Sequence, residues 1–409
     1  MSVVPAIEIQ NLRPADRRGM NVFETPKSDL VRYNGFKLNF GAAFTQQFQG
    51  LDHSNSADVR LVSGVNANEL IRVGHGFNNA NANLFINAQV APGIRVAMTS
   101  YLSSRHHNDT WVKDGYLQID ASPIDMAPLH KLMEVVTLKA GHFEINYGDQ
   151  HFRRTDNGQS IYNPLVGNFI LDAFTTQVGT EVYLRHRGLM AMGAITNGEV
   201  RGMTLNPQRR SAAYITKLGF DKQLTEDLRV RLTGSTFAQA KAANQTLYSG
   251  DRAGSRYYNM VENTTSTEAA NFTSGAINPQ FNEMHAYVIN PFVKFHGLEL
   301  FGNVERARGK QAAEAARREY TQNVGEVTYR FLDDALFVSG RVNKVEGRPM
   351  GYTTDIKIDR TQFGAGWFIN PMILLKGEYV NQKYDGFAAT DIRNGAKFKG
   401  YVIEAAVAF

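Results

Sequence analysis

Apolar residues recur at every second position in many short segments of this chain, and this alternation constrains its fold more than any other feature. Clear examples run Phe36-x-Leu38-x-Phe40 and, at the end of the chain, Tyr401-x-Ile403-x-Ala405-x-Val407-x-Phe409. Successive side chains of a β-strand point to opposite faces, so a period of two places one apolar set on one face. About sixteen such segments can be placed along the chain. The sequence therefore predicts an all-β protein.

The connections between these segments alternate between short and long. Short connections include Ala91-Pro-Gly93, Arg187-Gly188 and His296-Gly297, whereas long ones cover 50–80, 145–174 and 241–281. Barrels that span membranes have tight turns at one end and extended loops at the other, and a soluble β-sandwich has no reason to keep this asymmetry. We therefore predict a transmembrane antiparallel up-and-down β-barrel of about sixteen strands, with a range of 14–18. Both chain ends then lie at the end with short turns.

The composition agrees with a barrel and disfavours other classes. Uncharged apolar stretches such as Leu189 to Ile195 fall far short of the ~20 residues that a membrane helix needs. The 36 Gly, 25 Phe and 17 Tyr residues suit twisted strands with aromatic girdles. The absence of Cys excludes disulfides, thiolate metal sites and Cys nucleophiles. The net charge is +5, but no run of five basic residues occurs, so nucleic-acid binding is disfavoured.

Two regions follow from the pattern. Residues 1–32 show no clean period, and we expect them to form a periplasmic arm or a segment inside the lumen, while residues 33–409 form the barrel. The amino terminus has no basic region followed by an apolar core. This leaves two alternatives, a cytoplasmic protein or a mature sequence whose leader has been removed. The barrel pattern favours the second and predicts the bacterial outer membrane.

Taking the apolar set as outward, the inward set carries more basic than acidic residues. A water-filled lumen with this excess would favour anions. The alternative is that these charges pair with one another and solvate the wall. The predicted lumenal cations include Arg95, Lys139, Arg185, Arg229, Arg231, Lys294, Arg330 and Arg341.

The third long connection, 145–174, is the strongest single functional candidate. It carries Arg153 and Arg154 beside Asp149 and Asp156, a mixture that could set a transverse field across a narrow passage. We expect this loop to fold into the lumen as a constriction. The alternative is an external loop that lies over the mouth.

Two segments resemble known proteins. The last strand, which ends in Phe409, resembles the closing strand of Gram-negative outer-membrane barrels. The segment Leu138-Lys139-Ala-Gly141-His-Phe143, which precedes the long loop, and Gly115-Tyr-Leu-Gln-Ile119 upstream of it resemble the phosphate-selective porin family. This resemblance implies a sixteen-stranded trimeric channel that passes anions through a basic lumen.

These observations lead to one main functional hypothesis: an outer-membrane porin for passive diffusion of small hydrophilic solutes, with modest anion preference. The expected partners are outer-membrane lipid and lipopolysaccharide, small anionic or neutral solutes and two further copies in a homotrimer. The first alternative is a non-transport barrel that serves as adhesin, structural anchor or secretion-system component, with 241–281 as its contact surface. The second is a soluble all-β binding protein.

No enzyme and no cofactor are expected. His106 and His107 could bind a metal with Asp109, but adjacent side chains do not converge on one ion without help from elsewhere. No Gly-x-Ser-x-Gly element is present.

Overall fold

The computed structural model describes residues 6–27, 31–103, 110–200, 204–250, 256–265 and 273–409. The candidate residues His106, His107 and Asp109 lie outside these ranges. Within them, no helix is long and apolar enough to cross a membrane.

The chain forms sixteen long antiparallel strands. They are β1 Lys37–Ser54, β2 Asn81–Ala91, β3 Ile94–Leu102, β4 Thr110–Ile119, β5 Val136–Glu144, β6 Thr176–His186, β7 Leu189–Thr196, β8 Ala213–Gln223, β9 Leu228–Gln239, β10 Glu283–Phe295, β11 Leu298–Lys310, β12 Arg318–Phe331, β13 Leu336–Gly347, β14 Ile356–Asn370, β15 Ile373–Asp385 and β16 Lys397–Ala408. Short strands at Leu61–Val62, Val65–Asn66 and Gly76–Phe77 lie in the first long loop. Helix α1, Ala127–Met133, lies in the longest of the short-turn connections, and single 3₁₀ turns cover Arg17–Gly19, Gln150–Phe152 and Pro207–Arg209.

The sheet closes on itself. Each strand pairs with the next, and β1 pairs with β16 in a register that sets Ala43 opposite Ala408. Phe409 extends this ladder, because Ala42 and Phe409 each donate an amide hydrogen bond of 3.0 Å to the other's carbonyl. Closure leaves no free sheet edge. The predicted all-β barrel of sixteen strands is confirmed.

The outer face is apolar along the part of the strands nearest the short turns, whereas the opposite part carries exposed charged residues such as Lys344 and Asp359. The alternate residues predicted to point outward on β16, such as Tyr401 and Ile403, are exposed, and their neighbours Val402 and Glu404 are buried. We call the end with short turns the turn end and the opposite end the loop end. Exposed aromatic side chains ring the turn end, as lipid-facing girdles do at a membrane interface. They include Phe295, Tyr329, Trp367 and Phe409.

The inner face is buried as well, although its residues are polar. Lys217, Gln322 and Lys376 are each at most 2% exposed. Their burial is explained by three segments that enter the barrel: the arm (6–27), the third loop (145–175) and the described parts of the fifth loop (240–250, 256–265 and 273–282). A core of apolar residues from the third and fifth loops, including Val166, Ile170 and Leu247, packs inside the lumen.

Candidate solute pathway

The third loop crosses the lumen from one wall to the other. On the side of β1 and β2, Thr45 donates a hydrogen bond of 2.7 Å to the carbonyl of Gly158, and this glycine lies so close to the wall that a Cβ would be 2.6 Å from the carbonyl oxygen of Ala43. On the opposite side, the amide of Asp149 donates to Asn290 of β10 at 2.9 Å, and the amide of Gly148 donates to Ser235 of β9 at 3.0 Å. On β15, which is two strands from β1, Lys376 donates to three loop carbonyls at 2.8–2.9 Å. Glu378 accepts the amides of Val166 and Gly167. Fixed at both walls, the loop lies inside the barrel.

The fifth loop lies against the third loop from the loop end. The Tyr248 hydroxyl donates to Glu305 of β11 at 2.6 Å, and the amide of Tyr258 donates to Gln49 of β1 at 3.0 Å. Ile277 donates its amide to the carbonyl of Ile170, so the two loops also contact each other. Many described residues of this loop are thus directed into the barrel, which argues against their use as an exposed contact surface.

The arm crosses the lumen at the turn end. It contacts the wall on several sides. The amide of Gln10 donates to the side chain of Gln89 on β2, and the amide of Arg17 donates to the carbonyl of Pro371 in the turn after β14. The side chain of Asn21 donates to Glu299 of β11, and the ammonium group of Lys27 donates to the carbonyl of Asp120 after β4. Because these partners surround the mouth, residues 6–27 cover much of the turn end of the lumen.

A cavity of about 400 Å³ remains between the arm, the third loop and the wall formed by β1–β6. Charged side chains and apolar side chains both line it. Of the predicted site residues, it brings together Arg95, Lys139, Arg154, Asp156 and Arg185. Arg154 pairs with Asp172 at 2.6 Å, Lys139 lies 3.5 Å from Glu181, and Arg185 lies 3.6 Å from Asp120.

Arg95 differs from the other cations of this cavity. Its two terminal nitrogens donate to Asn87 and Gln118 at 3.1 Å, its Nε has no partner, and among the described residues no carboxylate lies within ion-pair distance. The side chain is buried, so this positive charge is not neutralised by a neighbouring acid.

The remaining predicted residues lie on the other side of the barrel and are paired. Arg330 binds Glu299 at 2.8 Å, Arg341 binds Glu326 at 2.5 Å and Lys294 lies 3.6 Å from Glu299. Arg153 does not join Arg154 at one passage; instead it points to Glu326 at 2.7 Å. Arg229 pairs with Asp221 at 2.7 Å and donates a hydrogen bond of 2.9 Å to the carbonyl of Asn21 in the arm. The alternative of wall charges that pair with one another thus describes this half of the lumen.

A cluster of four charges joins the arm, the third loop and the wall. Glu24 of the arm lies 3.0 Å from Lys217 and 2.8 Å from Arg231, and Asp149 of the third loop lies 2.7 Å from both. Burial raises the pKa of the Glu24 carboxyl, but Arg231 and Lys217 outweigh this effect and hold its pKa well below the ordinary value. Glu24 is therefore ionised in its docked position.

Sequence reasoning missed Lys113 and Glu24. Lys113 is an extra residue in β4, because Thr99 pairs with Asp114 while the adjacent Ser100 pairs with Val112. This β-bulge lets Lys113 and Asp114 both face the cavity, and Lys113 binds Asp156 at 2.6 Å and Glu144 at 2.7 Å. Glu24 lies in a segment without periodicity, so only its isolated charge could have drawn attention.

Comparison with known proteins gives matches only at the level of structure. No protein-family model and no curated sequence matches the chain. Solved structures match over most of their length: the trimer form of OmpT from Vibrio cholerae (TM-score 0.54, 10% identity, 92% of this chain and 100% of that one) and an anion-selective porin from Comamonas acidovorans (0.53, 9%, 91% and 100%). The outer-membrane channel DcaP of Acinetobacter baumannii is similar at a TM-score of 0.52, with 9% identity over 92% of this chain and 98% of that one.

The chain has the fold of an outer-membrane porin. At this level the predicted bacterial outer-membrane barrel is confirmed. The narrower resemblance to the phosphate-selective family stays a prediction.

Proposed function

We propose that this protein is an outer-membrane channel through which small hydrophilic solutes diffuse passively, with a modest preference for anions. The observation that carries this proposal is the charge of the cavity beside the third loop. Eight basic side chains line it, namely Arg13, Arg18, Lys37, Arg95, Lys113, Lys139, Arg154 and Arg185. Six acidic side chains face them, namely Glu8, Asp16, Glu24, Asp114, Glu144 and Asp156, together with the terminal residue Phe409.

The preference would come from Arg95. A buried cation that lacks an acidic partner raises the local concentration of anions, because its field is neutralised by no nearby carboxylate. The other basic residues of the cavity have acidic neighbours, apart from Arg13, whose guanidinium lies 3.8 Å from the ring of Tyr162. The excess is small, so the expected selectivity is modest.

In this proposal the constriction lies where Arg154 and Asp156 of the third loop approach the wall. Asp156 is bound to Lys113, and Asn83 of β2 donates to its carbonyl at 3.0 Å. Solutes would pass along the β1–β6 wall, because the third loop is bound closely to the opposite wall. Arg153 would then have a structural role and no direct contact with solutes.

We further propose a homotrimer, with β3–β7 facing the other copies. These strands have only eight to eleven residues, whereas β10–β16 have twelve to fifteen. A lipid-facing strand needs ~9–11 residues. The strands β3–β6 lie within this range and β7, with eight residues, falls below it, and we expect these short strands to be covered by protein. The exposed outward positions here are also small or aliphatic, as at Ala140 and Val182.

The test is the reversal potential of single channels in a planar bilayer under a KCl gradient. We expect reversal toward the chloride potential for the full chain and a weaker preference for Arg95→Gln. Arg348→Gln is the control, because Arg348 is exposed and paired with Asp355. Preference for potassium in the unmodified protein would contradict the proposed anion selectivity, and absence of conductance in all variants would contradict the channel itself.

A further inference from the structure

Residues 22–27 of the arm separate two cavities. The inner one is the cavity of about 400 Å³ beside the third loop, and the outer one, of about 970 Å³, opens at the turn end between the arm, the turn after β4 and the turn after β6. Phe23, Glu24 and Arg185 line both cavities. The partition between them is therefore thin, and the arm supplies two of its three shared residues.

Side chains hold this partition in place. Phe23 is buried between Phe152 and Phe292, with ring centroids 5.8 and 5.4 Å away, and the guanidinium of Arg231 lies 4.2 Å from its ring. The adjacent Glu24 binds Lys217 and Arg231. The described arm pairs with no barrel strand, and residues 31–36, which connect it to β1, form neither helix nor strand. Such a segment can leave the lumen without disturbing the sheet.

The charges around Glu24 show which kind of ligand could take its place. Lys217, Arg231 and Arg229 carry three positive charges, and Asp149 and Asp221 supply two negative charges, with Asp221 3.0 Å from Arg231 and 2.7 Å from Arg229. Without Glu24 the group would have one positive charge in excess inside a barrel that excludes bulk solvent, and this arrangement attracts a carboxylate. Arg231 also lines the outer cavity, so a solute arriving from the turn end could reach it.

We propose that Lys217 and Arg231 form a carboxylate-binding site, that Glu24 is its intramolecular ligand, and that the arm is a tethered plug which carboxylate solutes displace. Release of the arm joins the two cavities into one path past the third loop. This inference rests on the proposed diffusion channel, and it adds a closed state and the class of solute that opens it.

The test compares single-channel records of the unmodified protein and Glu24→Gln. Removal of one charge from a buried ion pair destabilises the docked state by more free energy than a tenfold change in an equilibrium constant represents. The open fraction should therefore rise about tenfold or more in this variant. Glu346→Gln is the control, because Glu346 is exposed on β13, lies 3.1 Å from Lys357 and lines neither cavity. Exchange of chloride for acetate at constant ionic strength should raise the open fraction of the unmodified protein.

A second variant tests the plug without removing a charge. The chain has no Cys, and the amide of Arg17 lies 2.9 Å from the carbonyl oxygen of Pro371, so Arg17→Cys with Pro371→Cys can form a single disulfide between arm and wall. Openings should be rare in the oxidised protein and return after reduction.

The outcomes separate the two proposals. Equal open fractions in the unmodified protein, Glu24→Gln and the oxidised double variant would overturn the plug and leave the diffusion channel standing. An increase in Glu24→Gln without an effect of acetate would overturn the displacement by carboxylates. No conductance in any of them would overturn the channel and the plug together.

Discussion

At the scale of single residues, the ionisation of Glu24 makes docking of the arm depend on pH. Its pKa is depressed in the docked arm, chiefly because Arg231 and Lys217 outweigh the effect of burial, whereas a released arm should titrate near the ordinary value of 4.5. The docked state therefore binds fewer protons than the released state. The charged or titratable groups that also face Glu24 are Asp149, His151, Tyr183 and Arg13.

We predict the following dependence on pH. A group whose pKa is lower in the docked state than in the released state stabilises the docked state at pH values above its released pKa. This stabilisation is lost as the pH falls from the released pKa through the docked pKa. The open fraction should be constant between pH 8 and 7 and rise below 4.5. Single-channel records across this range provide the check, and an open fraction that falls at acid pH would contradict it.

Lys113 shows where residue-level reasoning from sequence fails. Period two assigns inward and outward residues correctly along most strands, since Phe40, Leu84 and Tyr401 are exposed as expected. One bulged residue in β4 shifts the alternation, and a bulge leaves no sequence signal that period two can detect. The ion pairs of the cavity therefore could not be predicted, although Arg95 and Lys139 could be predicted to point inward and Arg154 to lie in the third loop.

At the scale of elements, the contacts of the third loop were the least predictable feature. Its length and its place after β5 indicated a segment inside the lumen. Its direction across the barrel depends on partners such as Lys376 and Glu378 on β15, more than two hundred residues away in sequence. Such distant pairs leave no pattern in one sequence.

Lys376 should stabilise this loop more than any exposed cation does. It is 2% exposed, donates to three loop carbonyls and lies 3.1 Å from Glu404. Lys376→Met would leave a buried carboxylate unpaired, and we expect a loss of about 3–5 kcal/mol in the free energy of unfolding.

Urea unfolding followed by tryptophan fluorescence measures this loss. The control is Lys357→Met on the neighbouring strand β14, where Lys357 and Glu346 are both exposed. That pair should contribute no more than about 1 kcal/mol. Equal effects of the two substitutions would show that the loop is not held as described.

At the scale of the whole molecule, the barrel itself was predictable because its rules are local. Alternation gives the strands, turn length gives the two ends, and both repeat along the chain. The fifth loop and the arm were less predictable, because neither has a period, and their burial depends on the space that the barrel leaves. The sequence suggested a lumenal arm only as one of two alternatives.

The proposed trimer predicts an asymmetric response of the outer surface. Ala140 on β5 and Ala365 on β14 are both exposed, but they lie on opposite sides of the barrel. Ala140→Trp should weaken a packed interface by about 1–3 kcal/mol, because overpacking forces neighbouring side chains apart. Ala365→Trp should have no effect if it faces lipid. A native gel after stepwise heating reports the dissociation temperature of each, and identical temperatures would place the interface elsewhere.

The central claim is that this barrel holds an aqueous path for small solutes. Its most direct test is the swelling of liposomes that carry the full chain and are loaded with an impermeant sugar. On transfer into isotonic solutions, we expect swelling with acetate to be faster than with an uncharged solute of similar size, and faster still for Glu24→Gln than for the unmodified protein. No swelling above that of empty liposomes, in the unmodified protein and in Glu24→Gln alike, would contradict the claim.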